Sequence, residues 1–130
     1  MIIQKTVNTP YVELNLDKRQ ILLEGESRPE DVRSFYEPIL HWIDSELSLH
    51  LIDEEDIEIL FESKLDYFNS SSAKYILDIV EQLKEIKQSN IEVAITINWY
   101  YDKLDVDMLD AGKEFSLLTE LPFNYISNEA

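Results

Sequence analysis

The sequence predicts a single α/β domain with a mixed sheet of about five strands and three main helices. Segments of period-two hydrophobicity alternate with segments of helical period, and the 130-residue chain, 45% hydrophobic, is the size of one domain. The element order is β-β-α-β-α-β-α-β, and strands separated by a helix usually pair in parallel through a crossover. We expect the domain to span residues 9–126, between short tails at 1–8 and 127–130.

The first two strands are predicted to form a hairpin that leads into a long helix. Apolar residues alternate with polar ones over 12–16 and 21–23, with a turn-forming run at 17–19 between them. The segment Ser27–Glu30 has the Ser-x-x-Glu spacing of a capping box, and apolar residues then recur at helical spacing over 32–47. Pro38 lies inside this pattern, where it is expected to kink the helix or displace its start.

Three more strands and two helices follow. The patterns predict a strand over 57–68, a helix over 73–83 that ends near 89–90, and a strictly alternating strand over 91–99. A third helix over 108–118 and a short last strand over 121–126 complete the order. One face of the 91–99 strand is expected to be less buried, since it carries the residues Glu92, Ala94, Thr96 and Asn98.

Composition excludes several classes of function. The net charge of −16 and the pI of about 4.3 oppose binding to phosphate backbones or anionic lipids, so we expect neither a nucleic-acid nor a membrane partner. The absence of cysteine excludes disulfides, thiol nucleophiles and cysteine-ligated zinc. With no signal peptide and no apolar run of about 18 residues, the sequence predicts a cytoplasmic protein.

Catalytic, cofactor-binding and metal-binding patterns are not found. His41 and His50 do not have the i, i+4 spacing of a ligand pair, and two glycines do not make a phosphate-binding loop. The acidic stretch Asp102–Asp110 fails the calcium-loop pattern, and acidic residues that open a helix complement its dipole. A small metal-binding protein or enzyme that uses this stretch remains an alternative of another class.

A cluster of serines marks the point where a strand turns into a helix. Asn69 and the three residues Ser70, Ser71 and Ser72 suit a helix N-terminus because their side-chain oxygens accept from unpaired backbone N–H groups. The simplest interpretation is a well-capped helix. The same geometry suits a phosphorylation switch, because a phosphoserine adds about −1.5 to −2 charges that the helix dipole tolerates and that Lys74, one turn on, helps to compensate.

Several ordered blocks of the chain resemble one bacterial family, the SiaC-type regulatory phosphoproteins. The resemblance runs from residue 9 to residue 126. It rests on the blocks Gly25–Glu30, Phe35–Trp42, Tyr67–Lys74, Trp99–Met108, Ala111–Phe115 and Leu121–Phe123. The family is similar to STAS domains, so the resemblance implies a STAS-like fold, which agrees with the predicted element order.

The resemblance implies a partner-switching protein with no catalytic activity of its own. It implies that a serine/threonine kinase phosphorylates the chain, that a PP2C-type phosphatase reverses this, and that the unmodified form binds and activates a diguanylate cyclase. Cyclic di-GMP, and with it aggregation or biofilm formation, would then be the output. An anti-sigma factor antagonist of the STAS type is the nearest alternative.

The family's phosphoacceptor follows the asparagine of the strand–helix turn, which corresponds to Ser70 in this sequence. Ser71 and Ser72 are adjacent hydroxyls, so the choice among the three serines stays open at this point. The expected partner-binding residues are those around the turn: Asn69, Ser71, Ser72, Lys74 and Arg28.

Overall fold

The fold was obtained as a computed structural model, which describes residues 1–51 and 55–128. Six strands form one sheet in sequence order, β1 to β6. Their bounds are Ile2–Ile3, Tyr11–Asn15, Gln20–Ser27, Ile57–Phe68, Val93–Asp102 and Asn124–Asn128. The helical elements are α1 (Val32–His41), a π-helical segment (Trp42–Leu47), α2 (Ser48–His50), α3 (Ser70–Ser89) and α4 (Val106–Thr119). The predicted α/β class is confirmed.

The strand pairing is mixed, as predicted. β1, β2 and β3 pair antiparallel, and the second and third form the expected hairpin. β3, β4, β5 and β6 pair in parallel, each joined to the next through a connection that contains a helix. The carboxyl ends of these four strands therefore meet at one edge of the sheet.

The strand count differs from the prediction by one short element. Residues Ile2–Ile3, which we expected to lie in a tail, pair with β2 at the edge of the sheet. At the other end, β6 continues to Asn128 and so enters the predicted tail at 127–130, of which residues 129 and 130 lie outside the described residues. The domain bounds themselves stay a prediction.

The core lies between one face of the sheet and the helices. The buried strand residues follow the predicted period of two, and Ile76, Ile79, Val80 and Leu83 of α3 pack with them. On the opposite face of β5, Ala94 is exposed and Thr96 and Asn98 are half-buried, which confirms the expected asymmetry; Glu92 is exposed but lies in the turn before the strand. Ile91 breaks the pattern, because it lies in the turn before β5 and is 89% exposed.

The start of the first helix was predicted incorrectly. Its N-cap is Asp31, whose side chain accepts from the Ser34 N–H at 3.1 Å, and not Ser27. Ser27 remains in β3 because it pairs with Phe68 of β4, a contact that local sequence does not reveal. Pro38 lies inside α1, and helical structure continues beyond it into the π-helical segment.

Candidate functional site

The serine cluster lies at the sheet edge where β3 and β4 end. β3 has a register shift between Gly25 and Glu26, and Gly25 takes a φ of 117°, a conformation that favours glycine. Beyond this bulge the two strands pair up to their last residues, Ser27 and Phe68. A single residue, Asn69, then connects β4 to α3. The turn is therefore short and attached to a central strand.

Asn69 fixes the beginning of α3 through both its backbone and its side chain. Its N–H donates to the Ser27 carbonyl at 3.0 Å, which continues the ladder between β3 and β4. Its side-chain Oδ1 accepts from the Ser72 N–H at 2.9 Å and from the Ser71 hydroxyl at 3.1 Å. Asn69 is thus the N-cap, and the expectation of a well-capped helix is confirmed.

The three adjacent serines occupy three different environments. Ser70 is exposed, and its hydroxyl makes no hydrogen bond within residues 1–51 and 55–128. Ser71 is exposed as well, but its hydroxyl donates to Asn69. Ser72 is fully buried, with 0% of its surface exposed. Only Ser70 therefore combines accessibility with a hydroxyl free of intramolecular bonds.

Ser72 belongs to a buried chain of hydroxyl groups that lies under the turn. Its hydroxyl donates to the Ser27 carbonyl at 3.2 Å and accepts from the Ser27 hydroxyl at 2.9 Å. The Ser27 hydroxyl also lies 2.5 Å from that of Tyr36. Since Ser27 gives its one proton to Ser72, Tyr36 donates to Ser27. Burial raises the pKa of Tyr36 to about 12, so Tyr36 keeps its proton at neutral pH.

This hydroxyl chain ties α1 and α3 to the end of β3. The Tyr36 ring also stacks on Tyr75 of α3, with ring centroids 5.6 Å apart and an interplanar angle of 12°. The Ser27 carbonyl accepts from both Asn69 and Ser72, which uses its two lone pairs. The turn is therefore bonded to the end of β3, and β3 is in turn linked to α1 and α3 through Ser27.

Two cationic side chains flank the turn. Lys74 lies one helical turn beyond Ser70, and its Nζ is 3.7 Å from the carboxylate of Asp78 and 4.9 Å from the centre of the Tyr75 ring. Arg28 directly follows Ser27, the last residue of β3, and its backbone N–H donates to the Asn8 carbonyl at 2.8 Å. Its guanidinium donates to Glu26 at 2.6 Å and lies over the Tyr67 ring, 6.0 Å from the centroid.

Of the six predicted site residues, Ser70, Ser71 and Lys74 are exposed near the start of α3, Asn69 is its half-buried N-cap, and Arg28 is exposed directly after β3. The sixth, Ser72, requires a correction, because a fully buried side chain cannot contact a partner. Its spacing from Ile76 and Ile79 already indicated the buried face of α3.

Sequence reasoning missed two residues of the site, Ser27 and Tyr36. Ser27 was assigned to a helix cap, although it continues the inward-facing series of β3 after Ile21 and Leu23. A serine at an inward-facing strand position was the available signal, since buried hydroxyl groups need partners. Tyr36 was assigned only to the apolar stripe of the first helix.

The acidic stretch takes part in local structure. Asp105 is the N-cap of α4 and accepts from the Met108 N–H at 3.0 Å, while Asp102 accepts from the Leu104 N–H at 2.9 Å. Within the part of the chain that the structure describes, no three acidic or histidine side chains gather as metal ligands would. None of the helices in that part is long and apolar enough to cross a bilayer.

One family model matches nearly the whole chain. The model of the SiaC family of regulatory phosphoproteins matches residues 3–128. An uncharacterized protein of Pseudomonas aeruginosa strain UCBPP-PA14 is 25% identical over 118 residues, which cover 91% of this chain and 88% of that protein.

Two crystal structures from Pseudomonas aeruginosa have the same fold. One contains SiaC in complex with the diguanylate cyclase SiaD, of which SiaC is the activator; it superposes with a TM-score of 0.84 at 23% identity, covering 98% of this chain and 99% of that chain. The other, apo-SiaC, gives a TM-score of 0.77 at 21% identity and covers 98% of both chains. At 21–23% sequence identity, this structural similarity establishes the fold of the chain.

Proposed function

The chain belongs to the SiaC family of regulatory phosphoproteins, and from this membership we propose that it is a non-catalytic switch whose unmodified form binds and activates a diguanylate cyclase. A serine/threonine kinase phosphorylates Ser70 and a PP2C-type phosphatase removes the phosphate. The protein acts in the cytoplasm, and cyclic di-GMP is the output. The structurally similar SiaC of Pseudomonas aeruginosa, the activator of the cyclase SiaD, supports this assignment.

The observation that carries the proposal is the exposed hydroxyl of Ser70, which makes no hydrogen bond within the described residues and directly follows the N-cap Asn69. A phosphate attached there displaces no buried group. It also lies at the N-terminus of α3, where a negative charge contributes roughly 0.3–1 kcal/mol of stability. Phosphorylation is therefore compatible with an intact fold.

A partner docked over the turn would respond very differently. Burying an uncompensated dianion, or placing it against like charge, costs several kcal/mol, and each 1.4 kcal/mol is tenfold in affinity. The net charge of −16 changes only to about −18, so the effect is local to the surface around Ser70.

The neighbouring serines suit this role less well. A phosphate on Ser72 would break the hydrogen bonds to Ser27 and place a dianion in the core. A phosphate on Ser71 would remove the hydroxyl proton that Asn69 now accepts, which disturbs the cap. We therefore assign the modification to Ser70, and peptide mapping of the protein purified from its own cell tests that assignment directly.

The binding experiment starts from affinity capture of the unmodified protein in its own cell extract, followed by calorimetry with the diguanylate cyclase recovered. Ser70→Ala should bind like the wild type, and Ser70→Asp should bind at least tenfold more weakly while its circular dichroism spectrum is unchanged. Ser89→Asp is the matched control, because it adds the same charge to an exposed serine at the far end of α3.

Two results would refute the proposal. Equal affinity of the wild type and Ser70→Asp for the cyclase would show that the turn is outside the interface. Recovery of an anti-sigma factor in place of a cyclase would favour the role of an anti-sigma antagonist.

A further inference from the structure

We propose that the groove at the carboxyl ends of β4 and β5 is a docking surface for the partner, and that the partner segment seated there carries an apolar side chain flanked by lysine or arginine. The groove lies between the end of β4 and the loop that follows β5. The residues that line it are Leu65, Asp66, Asp102, Leu104 and Asp105. The inference rests on the proposed function and adds the surface and the chemistry of the partner.

The chain after β5 presents two apolar side chains to solvent. Leu104 is 87% exposed and Val106, the first residue of α4, is 64% exposed. Leu104 also lines the groove, which borders the buried Leu65 and has a volume of about 470 Å³. Binding clefts usually measure about 300–1,000 Å³. A partner that fills the groove and covers Leu104 would therefore remove apolar surface from water, which is the main favourable term in most protein associations.

Hydrogen bonds hold Leu104 in this exposed position. Its N–H donates to Oδ1 of Asp102 at 2.9 Å, and the N–H of Asp105 donates to the Asp102 carbonyl at 2.8 Å. The side chain of Asp105 then caps α4 by accepting from the Met108 N–H at 3.0 Å. Because these bonds fix the loop before any partner arrives, covering Leu104 costs little ordering of the loop.

Three carboxylates line the same groove. Asp66 is exposed and makes no hydrogen bond or ion pair within residues 1–51 and 55–128. Asp102 and Asp105 each accept from a backbone N–H through Oδ1, and neither forms an ion pair in that part of the chain. The neighbouring Lys103 is exposed and forms no ion pair with them either. Since covering carboxylates without compensating charge is unfavourable, a partner seated here has to supply cationic side chains.

The groove is close enough to Ser70 to share one interface with it. Asp66 lines the groove and precedes Ser70 by four residues, and four residues of chain span at most about 14 Å. A protein interface of standard size covers about 800 Å² on each partner, which is roughly 30 Å across. A partner centred on the groove therefore reaches Ser70, where its surface matches an uncharged hydroxyl and a phosphate would interrupt the contact.

The first experiment compares two exposed leucines by calorimetry of the unmodified protein with the diguanylate cyclase. Leu104→Ser should weaken binding at least tenfold. Leu117→Ser is the matched control and should change the affinity less than twofold, because Leu117 is 80% exposed and lies near the opposite end of α4. Both side chains are exposed, so the circular dichroism spectra of the two variants should match that of the wild type. Equal affinities of all three proteins would overturn the inference.

The second experiment tests the charge of the partner segment in the same assay. Asp66→Lys should weaken binding at least tenfold, and Asp17→Lys less than twofold, because Asp17 is exposed in the β2–β3 turn at the opposite edge of the sheet. Binding of the wild type should weaken about threefold or more when NaCl is raised from about 50 to about 500 mM, since salt screens exposed charges. Tighter binding of Asp66→Lys than of the wild type would show that the partner segment is acidic and would overturn the inference.

Two outcomes separate this inference from the proposed function. If Ser70→Asp binds the cyclase at least tenfold more weakly while Leu104→Ser and Asp66→Lys bind like the wild type, the proposed function stands and this inference falls. If affinity capture returns an anti-sigma factor whose binding is weakened by Leu104→Ser and by Asp66→Lys, the assignment to a cyclase falls and the groove stands as the docking surface.

Discussion

Adding one methyl group at Gly112, on α4, should destabilise the fold. In most helices a glycine-to-alanine change stabilises by roughly 0.4–1 kcal/mol. Here a Cβ on Gly112 would lie 2.6 Å from both Cδ1 and Nε1 of Trp99 and 2.9 Å from Cε2. Those distances are about 1 Å inside the normal contact range of about 3.5–4.0 Å. The new methyl group and the indole ring cannot both keep their places.

Trp99 has little freedom to move away. Its Nε1 donates to the Met108 carbonyl at 2.9 Å, and its ring packs against Phe68, Phe115 and Phe123 with centroids 5.5–6.1 Å apart. Overpacking a well-filled core costs about 1–3 kcal/mol, which exceeds the gain in helix propensity. We expect Gly112→Ala to lower the free energy of unfolding by about 1–2 kcal/mol.

Urea denaturation followed by circular dichroism at 222 nm measures this change without relying on Trp99 itself. With a slope of about 1–3 kcal/mol per molar for a small protein, the midpoint should fall by roughly 0.5–1 M. Lys113→Ala, the next residue on the exposed side of α4, is the control and should leave the midpoint unchanged. A midpoint for Gly112→Ala above that of the wild type would refute the packing that we describe.

Three further changes test other parts of the structure. Ser72→Ala should lower the free energy of unfolding in urea by about 1–3 kcal/mol, because the buried hydroxyl of Ser27 loses its acceptor. Ser71→Ala, at an exposed position, should lower it by less than about 0.5 kcal/mol. Equal losses would contradict the different burial of the two serines. Asp105→Ala should lose about 1 kcal/mol through its cap and Asp105→Asn much less, so an equal loss for both in the same assay would contradict the capping role. The pKa of Tyr36 is raised from 10.0 to about 12 in the folded protein, so its neutral side chain stabilises the fold fully below pH 10. This stabilisation, about 2–3 kcal/mol in the free energy of unfolding, is lost as the pH rises to 12. Tyr36→Phe should remove this loss from the urea midpoint measured between pH 9 and 12, and parallel curves for the two proteins would show the assignment to be wrong.

Local periodicity was sufficient to predict the strands of the sheet, but it did not predict where each strand begins and ends. The alternation of apolar and polar residues over 93–99 predicts a strand buried on one face, and the structure contains that strand. The same alternation was extended to Ile91, which lies in a turn, because period alone does not mark where pairing begins. The two-residue β1 is held by its pairing with β2, and such a short segment has no period to detect.

The sequence predicted where the candidate site lies, but not the hydrogen bonds that hold it together. Asn69 and the serines were recognised from residue type, since capping is a local preference. The hydroxyl chain joins Ser27 to Tyr36, nine positions away, and to Ser72, forty-five positions away, so it depends on tertiary contacts that local sequence does not specify. The different exposure of three identical neighbouring residues likewise arises from the helix face on which each lies.

The attachment of the turn to β3 and α1 has a consequence for any enzyme that modifies Ser70. Asn69 and Ser72 take their positions from Ser27, more than forty residues earlier in the chain, so a short synthetic peptide of residues 64–78 lacks the geometry that presents the hydroxyl. Such an enzyme meets a folded surface in place of an extended segment, and its selectivity has to come from shape. The proposed phosphorylation of Ser70 would therefore require an enzyme that recognises the folded end of β4 and the start of α3.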